Sequence, residues 1–257
     1  MASTERRSLR ALIDLAGAQQ ARADESSLAQ ELAESCMELL PITACAVLLA
    51  DHDAEPCLVA VSRCRARVVG LLEVSHGQGP AVESCRTALP VHCDDLAVAD
   101  ARWPVFAPAA LAEGNRAVSA LPLRRGGRAV GAIDLVRERT GPLPEAAVEL
   151  GQTLADSAAI GLARVRALRR GERIAGQWRL ALDRRVLVQQ ASGILAERLR
   201  LPIEHAARLL NELAAADGVE PHALAARFAA DPAGASVDGP ALVRALERAM
   251  AGRKHDH

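Results

Sequence analysis

Residues 117–138 read AVSALPLRRGGRAVGAIDLVRE. Two apolar runs, Ala117–Arg125 and Arg128–Glu138, flank Gly126-Gly127. A two-residue hairpin loop needs positive φ at both central positions, and a glycine pair meets that demand without steric cost. This is the strongest local strand signal in the chain, and the fold grows outward from it. Upstream, TACAVLLA (43–50) and CLVAVSR (57–63) flank the polar turn DHDAEP and predict a second hairpin. ALPVHCDDL (88–96) reads as a brief further strand. Helical spacing predicts helices over 5–20 (Leu9, Leu12, Ile13, Ala16) and 27–40, the latter stopped by Pro41. Shorter helices follow over 66–74 and in WPVFAPAALAEG (103–114), started by Trp-Pro and ended by Gly114. Five or six strands flanked by helices make an α+β domain with an antiparallel sheet over 24–165, preceded by an N-terminal helix within 1–23.

Beyond residue 140 the period becomes helical. TGPLPEAAVELGQTLADSAAIGLARVRALRR (140–170) keeps Leu150, Leu154, Ala158, Leu162, Val165 and Leu168 at three–four spacing, a linking helix over 145–174. Its narrow apolar seam calls for a partner helix, as in a coiled coil. A second seam follows through Ile174, Trp178, Ala181, Arg185, Val188, Ser192, Leu195 and Leu199. Ser192-Gly193 interrupts it where helix propensity disfavours both residues, the glycine by about 1 kcal/mol relative to alanine. Pro202, Gly218 and Pro221 divide the remainder into helices over 203–216 and 221–230. The result is an all-α three-helix domain over 175–231 and a tail, 232–257, with room for one more helix at 239–250.

Composition bounds the function. The 257 residues carry a formal charge of -1, so the whole chain is not a general electrostatic magnet for nucleic acid or anionic lipid. No signal peptide is visible, and the longest apolar run, ACAVLLA, is far too short to span a bilayer; we expect a cytoplasmic protein with no membrane partner. Cys36, Cys45, Cys57, Cys64, Cys85 and Cys93 are scattered without a CxxC pair and are expected to be reduced thiols. There is no P-loop, no GxGxxG and no nucleophile elbow, and no catalytic arrangement or metal cluster is expected. No cofactor is required by the sequence.

ALDRRVLVQQASGILAERLRLPIEHAARLLNELA (181–214) resembles the ANTAR domain, the three-helix RNA-binding output module of bacterial transcription antiterminators. Ala181-Leu182, Arg185, Gln190-Ala191, Gly193 and Leu195 match its first helix, Ala206, Leu210 and Ala214 its second, and Leu224-Ala225 its third. GQGPAVESCRTALPV, RWPVFAPAALAEGNRAVSALPL and GAIDL resemble a GAF sensor domain of the kind fused to ANTAR in actinobacteria. The resemblance implies a signal-responsive antitermination regulator, a homodimer pairing through residues 145–199 and binding hairpins of nascent RNA. Its RNA contacts would be Arg184, Arg185, Gln190, Ala191, Gly193, Arg198 and Arg208, with a solvated helix face, paired locally to Asp183, Glu197 and Glu204, as the competing reading. Gly193 serves either close helix packing or approach of the RNA backbone. A GAF pocket for a small effector would draw on His76, Gln78, Cys85, His92, Cys93, Trp103 and Phe106; thiol sensing, haem ligation or a ligand-free dimerisation role are the alternatives. The sequence departs from the ANTAR pattern at Ser192 for lysine, Asn211 for arginine, Ala207 for an aromatic residue and Gly218 for asparagine. Residues 175–231 hold seven arginines and seven acidic residues. That neutrality supports a second reading: a dimeric signalling module acting on a protein partner. The run ARVRALRRGER (163–173) is either a basic stripe for RNA or an exposed linking helix.

Overall fold

The computed structural model describes residues 2–17, 24–50, 56–62, 70–71, 73–99 and 101–230. The chain forms two compact units, divided between Arg169 and Arg170. The first opens with helices α1 (Ala2–Gly17) and α2 (Glu25–Leu39). Asp24 caps α2: its Oδ1 accepts the Ser27 N–H at 2.7 Å, satisfying a backbone donor that the helix start leaves free. Strands β1 (Ala44–Ala50) and β2 (Pro56–Val61) follow, then helix α3 (Pro80–Thr87), strand β3 (Val91–Cys93) and helix α4 (Phe106–Ala112). Helix α4 begins after the expected Trp-Pro start, because Trp103 turns into the core. Strands β4 (Ala117–Arg125) and β5 (Arg128–Arg137) form the hairpin read from the sequence, with Gly126 and Gly127 at φ 57° and 78°. The turn at 51–55, the start of the 66–74 helix and the tail helix at 239–250 lie outside the described residues.

All pairings are antiparallel, in the order β2-β1-β5-β4-β3. Because side chains alternate along a strand, the sheet buries two different faces. Val47, Leu49, Leu121, Leu123, Ile133 and Leu135 face α1, α2 and a long helix, meeting Leu15, Leu32, Leu154 and Leu162. On the other face Ala46, Leu48, Ala120, Ala132 and Val136 meet Ala81, Leu96, Trp103 and Phe106. Alanines are frequent on this second face, and its aromatic pair, Trp103 and Phe106, packs edge to face at 5.8 Å.

The long helix is α5 (Glu145–Leu199), 55 residues that begin in the first unit and continue into the second. In the first unit Arg166 pairs with Glu25 at 3.1 Å and donates to the Ala50 carbonyl, while Arg124 of β4 holds Asp156 at 2.8 Å. Gly161 permits the crossing of α1: a Cβ there would lie 2.1 Å from the Leu15 carbonyl oxygen. The second unit packs the end of α5 against α6 (Ile203–Ala216) and α7 (Pro221–Ala230). Its core is Ala191, Leu195, Ala206, Leu210, Leu213, Leu224, Ala225 and Phe228.

This packing corrects the seam expected over 145–199. Leu154, Ala158, Leu162 and Val165 are consumed by the sheet, and Ser192 and Leu195 by the three-helix core. Between them the helix is bare from Ala167 to Val186 apart from half-buried Gly176, with Trp178 68% exposed alongside Leu168, Ile174, Leu180 and Leu182. The basic run divides the same way. Arg164 donates to the Gly17 carbonyl, Arg166 is tied to Glu25 and Arg169 lies 3.9 Å from Asp24, so these three arginines do structural work in the first unit.

Candidate functional site

In the second unit the last three turns of α5 present two opposed stripes. One turns inward: Ala191, Ser192 and Leu195 are buried, and Ser192 Oγ donates back to the Val188 carbonyl at 2.8 Å. Ala191 therefore lies in the core and presents nothing to a partner. Ser192, which stands where the ANTAR pattern has lysine, also points inward.

The other stripe turns outward. Gln190, Gly193, Ile194, Glu197 and Arg198 follow one another at three–four spacing and, with Ala229 of α7, line an open groove of about 620 Å³. Gly193 sits in its wall with no atom within 4 Å of where a Cβ would stand. Packing inside the chain therefore does not account for this glycine, unlike Gly161. Gly171 and Gly176, on the bare part of α5, share that open surround.

Arg184, Arg185, Arg198 and Arg208 are all exposed, and none has an ion-pair partner among the described residues. The local pairing to Asp183, Glu197 and Glu204 considered above is not formed. Two other departures have simple local accounts. Gly218 ends α6 at φ 65°, a left-handed cap position that glycine and asparagine both suit. Asn211 is exposed on α6.

On the second face of the sheet, the residues expected to line an effector pocket divide. Trp103 and Phe106 are core residues, and Arg102 lies over the Trp103 ring at 4.6 Å while pairing with Glu83. Gln78 Oε1 accepts the Val105 N–H at 3.3 Å, tying the loop before α3 to the start of α4. His76 and His92 are exposed, whereas Cys85 and Cys93 are half-buried. Burial pushes the Cys85 thiol up to about 12, reinforced by the carboxyls of Asp134 and Glu73. Thiol nucleophilicity requires the thiolate, so burial disfavours Cys85 as a nucleophile. The five described cysteines are unpaired, and no group of metal-binding side chains occurs among the described residues.

Sequence reasoning missed a carboxyl pair. Glu73 and Asp134 are fully buried beneath α3, among the alanines of this face. Glu73 Oε1 accepts the Ala81 N–H at 3.3 Å, and Gly79 leaves it room, since a Cβ there would meet the carboxyl at 2.4 Å. Burial raises Asp134 to about 7, and burial together with the Asp134 charge raises Glu73 well above the usual carboxylate range. Both shifts favour the protonated carboxyl over the charged one. Neither Asp134 oxygen has a hydrogen-bond partner among the described residues. An acidic residue inside an apolar strand, GAIDL, was the available signal.

These two units have counterparts. A GAF-domain family model matches residues 22–163, more than half of the chain, and the chain belongs to that family. An ANTAR-domain model matches residues 176–228, so the protein carries the GAF–ANTAR arrangement. Among solved structures, the GAF domain of a phosphoenolpyruvate-protein phosphotransferase from Coxiella burnetii is similar at 18% identity and TM-score 0.50, covering 64% of this chain and 97% of that one. The GAF domain of the corresponding Acinetobacter protein has 12% identity and TM-score 0.48, covering 62% and 94%. At these identities the likeness concerns fold alone. No curated protein matches the chain. No helix among the described residues is long and apolar enough to cross a membrane. The two matches make the chain a regulatory protein in which a GAF domain is followed by an ANTAR domain, a module type of RNA-binding regulators.

Proposed function

We propose that this protein is a cytoplasmic, non-enzymatic homodimer that binds paired hairpins of a nascent transcript through its ANTAR units, under control of a signal received by the GAF domain. Phosphate neutralisation by cations supplies most non-specific RNA affinity. The observation that carries the reading is the set Arg184, Arg185, Arg198 and Arg208, exposed and without ion-pair partners although the unit is formally neutral. Its acidic residues do not quench them. The bare stretch of α5 between residues 167 and 186, carrying Leu168, Ile174, Trp178 and Leu182, supplies the dimer seam. Its open glycines, Gly171 and Gly176, allow a second helix to approach closely.

A gel shift with two-hairpin RNAs from the protein's own operon tests the reading. Binding at low salt that weakens steeply with added salt is expected, and Arg185→Ala should abolish it while light scattering still reports a dimer. Absence of binding at low salt refutes it. The alternative, a signalling module for a protein partner, draws on Trp178, whose large apolar ring stands 68% exposed. That reading takes over if no RNA binds while the dimer persists.

A further inference from the structure

We infer that the groove beside Gly193 is a reading site for one unstacked RNA base bearing an exocyclic amine, with Glu197 as its specificity-determining acceptor. The inference rests on the RNA-binding reading above and sharpens it. The groove falls within the size range of small-ligand sites, about 300–1,000 Å³, and its lining sorts by chemistry. Gly193, Ile194 and Ala229 are bare or apolar, a surface against which a flat ring can lie. Gln190, Glu197 and Arg198 stand at the rim, and none has a side-chain partner among the described residues.

Each rim group has a distinct task. An ionised carboxylate only accepts hydrogen bonds, so Glu197 favours a base edge that donates: the amines of adenine, cytosine or guanine. Uracil presents a carbonyl where cytosine presents its amine, and a carboxylate facing that carbonyl repels it. The Gln190 amide both donates and accepts, so it can complete the edge contact without choosing between bases. Arg198, next to Glu197 in sequence, supplies the cation for the adjoining phosphate. Single-stranded loops are where RNA offers such unstacked edges. The site also gives Glu197 a reason to stand unpaired among arginines: exchanging it for a neutral residue would strengthen general attraction to phosphate but remove the choice of base.

The test uses the full chain and hairpin RNAs that share one stem and carry an all-adenine, all-cytosine or all-uracil loop. Adenine and cytosine loops are expected to bind about tenfold more tightly than the uracil loop, the scale of one well-made edge contact. Glu197→Gln, whose amide also donates, should bring the uracil loop to within about twofold of the others. Arg198→Ala should weaken all three loops alike and lower the salt slope by about one. If the native chain binds all loops equally while Arg198→Ala still weakens them, the base-reading site is refuted and RNA binding stands. If no loop binds at low salt, both readings fall.

Discussion

Replacing Gly193 by alanine should make the protein more stable and a worse RNA binder. A mid-helix glycine costs about 1 kcal/mol relative to alanine, and α5 is helical on both sides of this position. A methyl group there meets nothing within 4 Å, so no clash offsets the gain. For a unit of this size, about 1 kcal/mol moves Tm by roughly 4–8 °C. Calorimetry on the intact chain should resolve that rise in the transition of the ANTAR unit. Against RNA the same methyl projects into the groove, where a well-packed contact that gains an extra carbon loses about 1–3 kcal/mol. The adenine-loop hairpin should therefore bind roughly tenfold more weakly. Gly171→Ala separates the two effects: it has the same open surround but lies outside the groove, so it should stabilise the helix, and any loss of RNA affinity should track a loss of dimer in light scattering. A lower Tm for Gly193→Ala would mean the surround is not open, and unchanged affinity would mean that the groove does not touch RNA.

Gly161→Ala should do the opposite to stability, because its methyl would press on the Leu15 carbonyl oxygen; a urea midpoint equal to the native one would contradict the close crossing of α1 and α5. Trp178→Ala should lower the dimer fraction in light scattering by at least severalfold at micromolar protein while leaving monomer circular dichroism intact. An unchanged dimer would move the seam elsewhere. Asp134 titrates at 3.8 when exposed and at about 7 in the fold. The native state therefore binds more protons than the unfolded state across that window, and Asp134 makes stability fall as pH rises from about 4 to 7 and level off above. Asp134→Asn should flatten the part of this fall that Asp134 contributes. Urea melts at pH 5 and pH 8 check this: an equal change in stability between the two pH values in variant and native protein would exclude Asp134 as the source.

The sheet was legible because its signals are local. Alternation and the Gly126-Gly127 turn dictate the β4–β5 hairpin, and Pro202, Gly218 and Pro221 bound α6 and α7 to the residue. What could not be read was which neighbour each apolar position meets. Leu154 and Leu195 both satisfy a coiled-coil pattern, but one is spent on the sheet and the other on a three-helix core. Three–four spacing records that a face is buried, not against what. The candidate site divides for a related reason. Matching residue types placed Ala191 beside Gly193 as contacts, yet successive helix positions are turned about 100° apart, and only Gly193 faces out. The Glu73–Asp134 pair escaped notice because its residues, 61 positions apart in sequence, share a burial site that no periodicity reports.

That division of the seam constrains how an input could act on an output in the proposed regulator. Helix α5 is committed at both ends: Arg166 and Asp156 fasten it to the GAF unit, and Ala191 and Leu195 build it into the ANTAR core. Packed interiors resist continuous deformation, so neither committed end can slide without unpacking a core. In the proposed dimer, a change of register between two chains would then fall on the bare stretch, whose side chains are exposed in the single chain. The glycines at 171 and 176 suit this, since neither is packed against another part of the chain. Filling them with alanine should select one register, leaving Gly193 and the groove untouched. A Gly171→Ala/Gly176→Ala double variant should thus keep its dimer and its RNA affinity but no longer respond to whatever the GAF unit senses. Retention of the full response in that variant would place the transmission outside this stretch of helix.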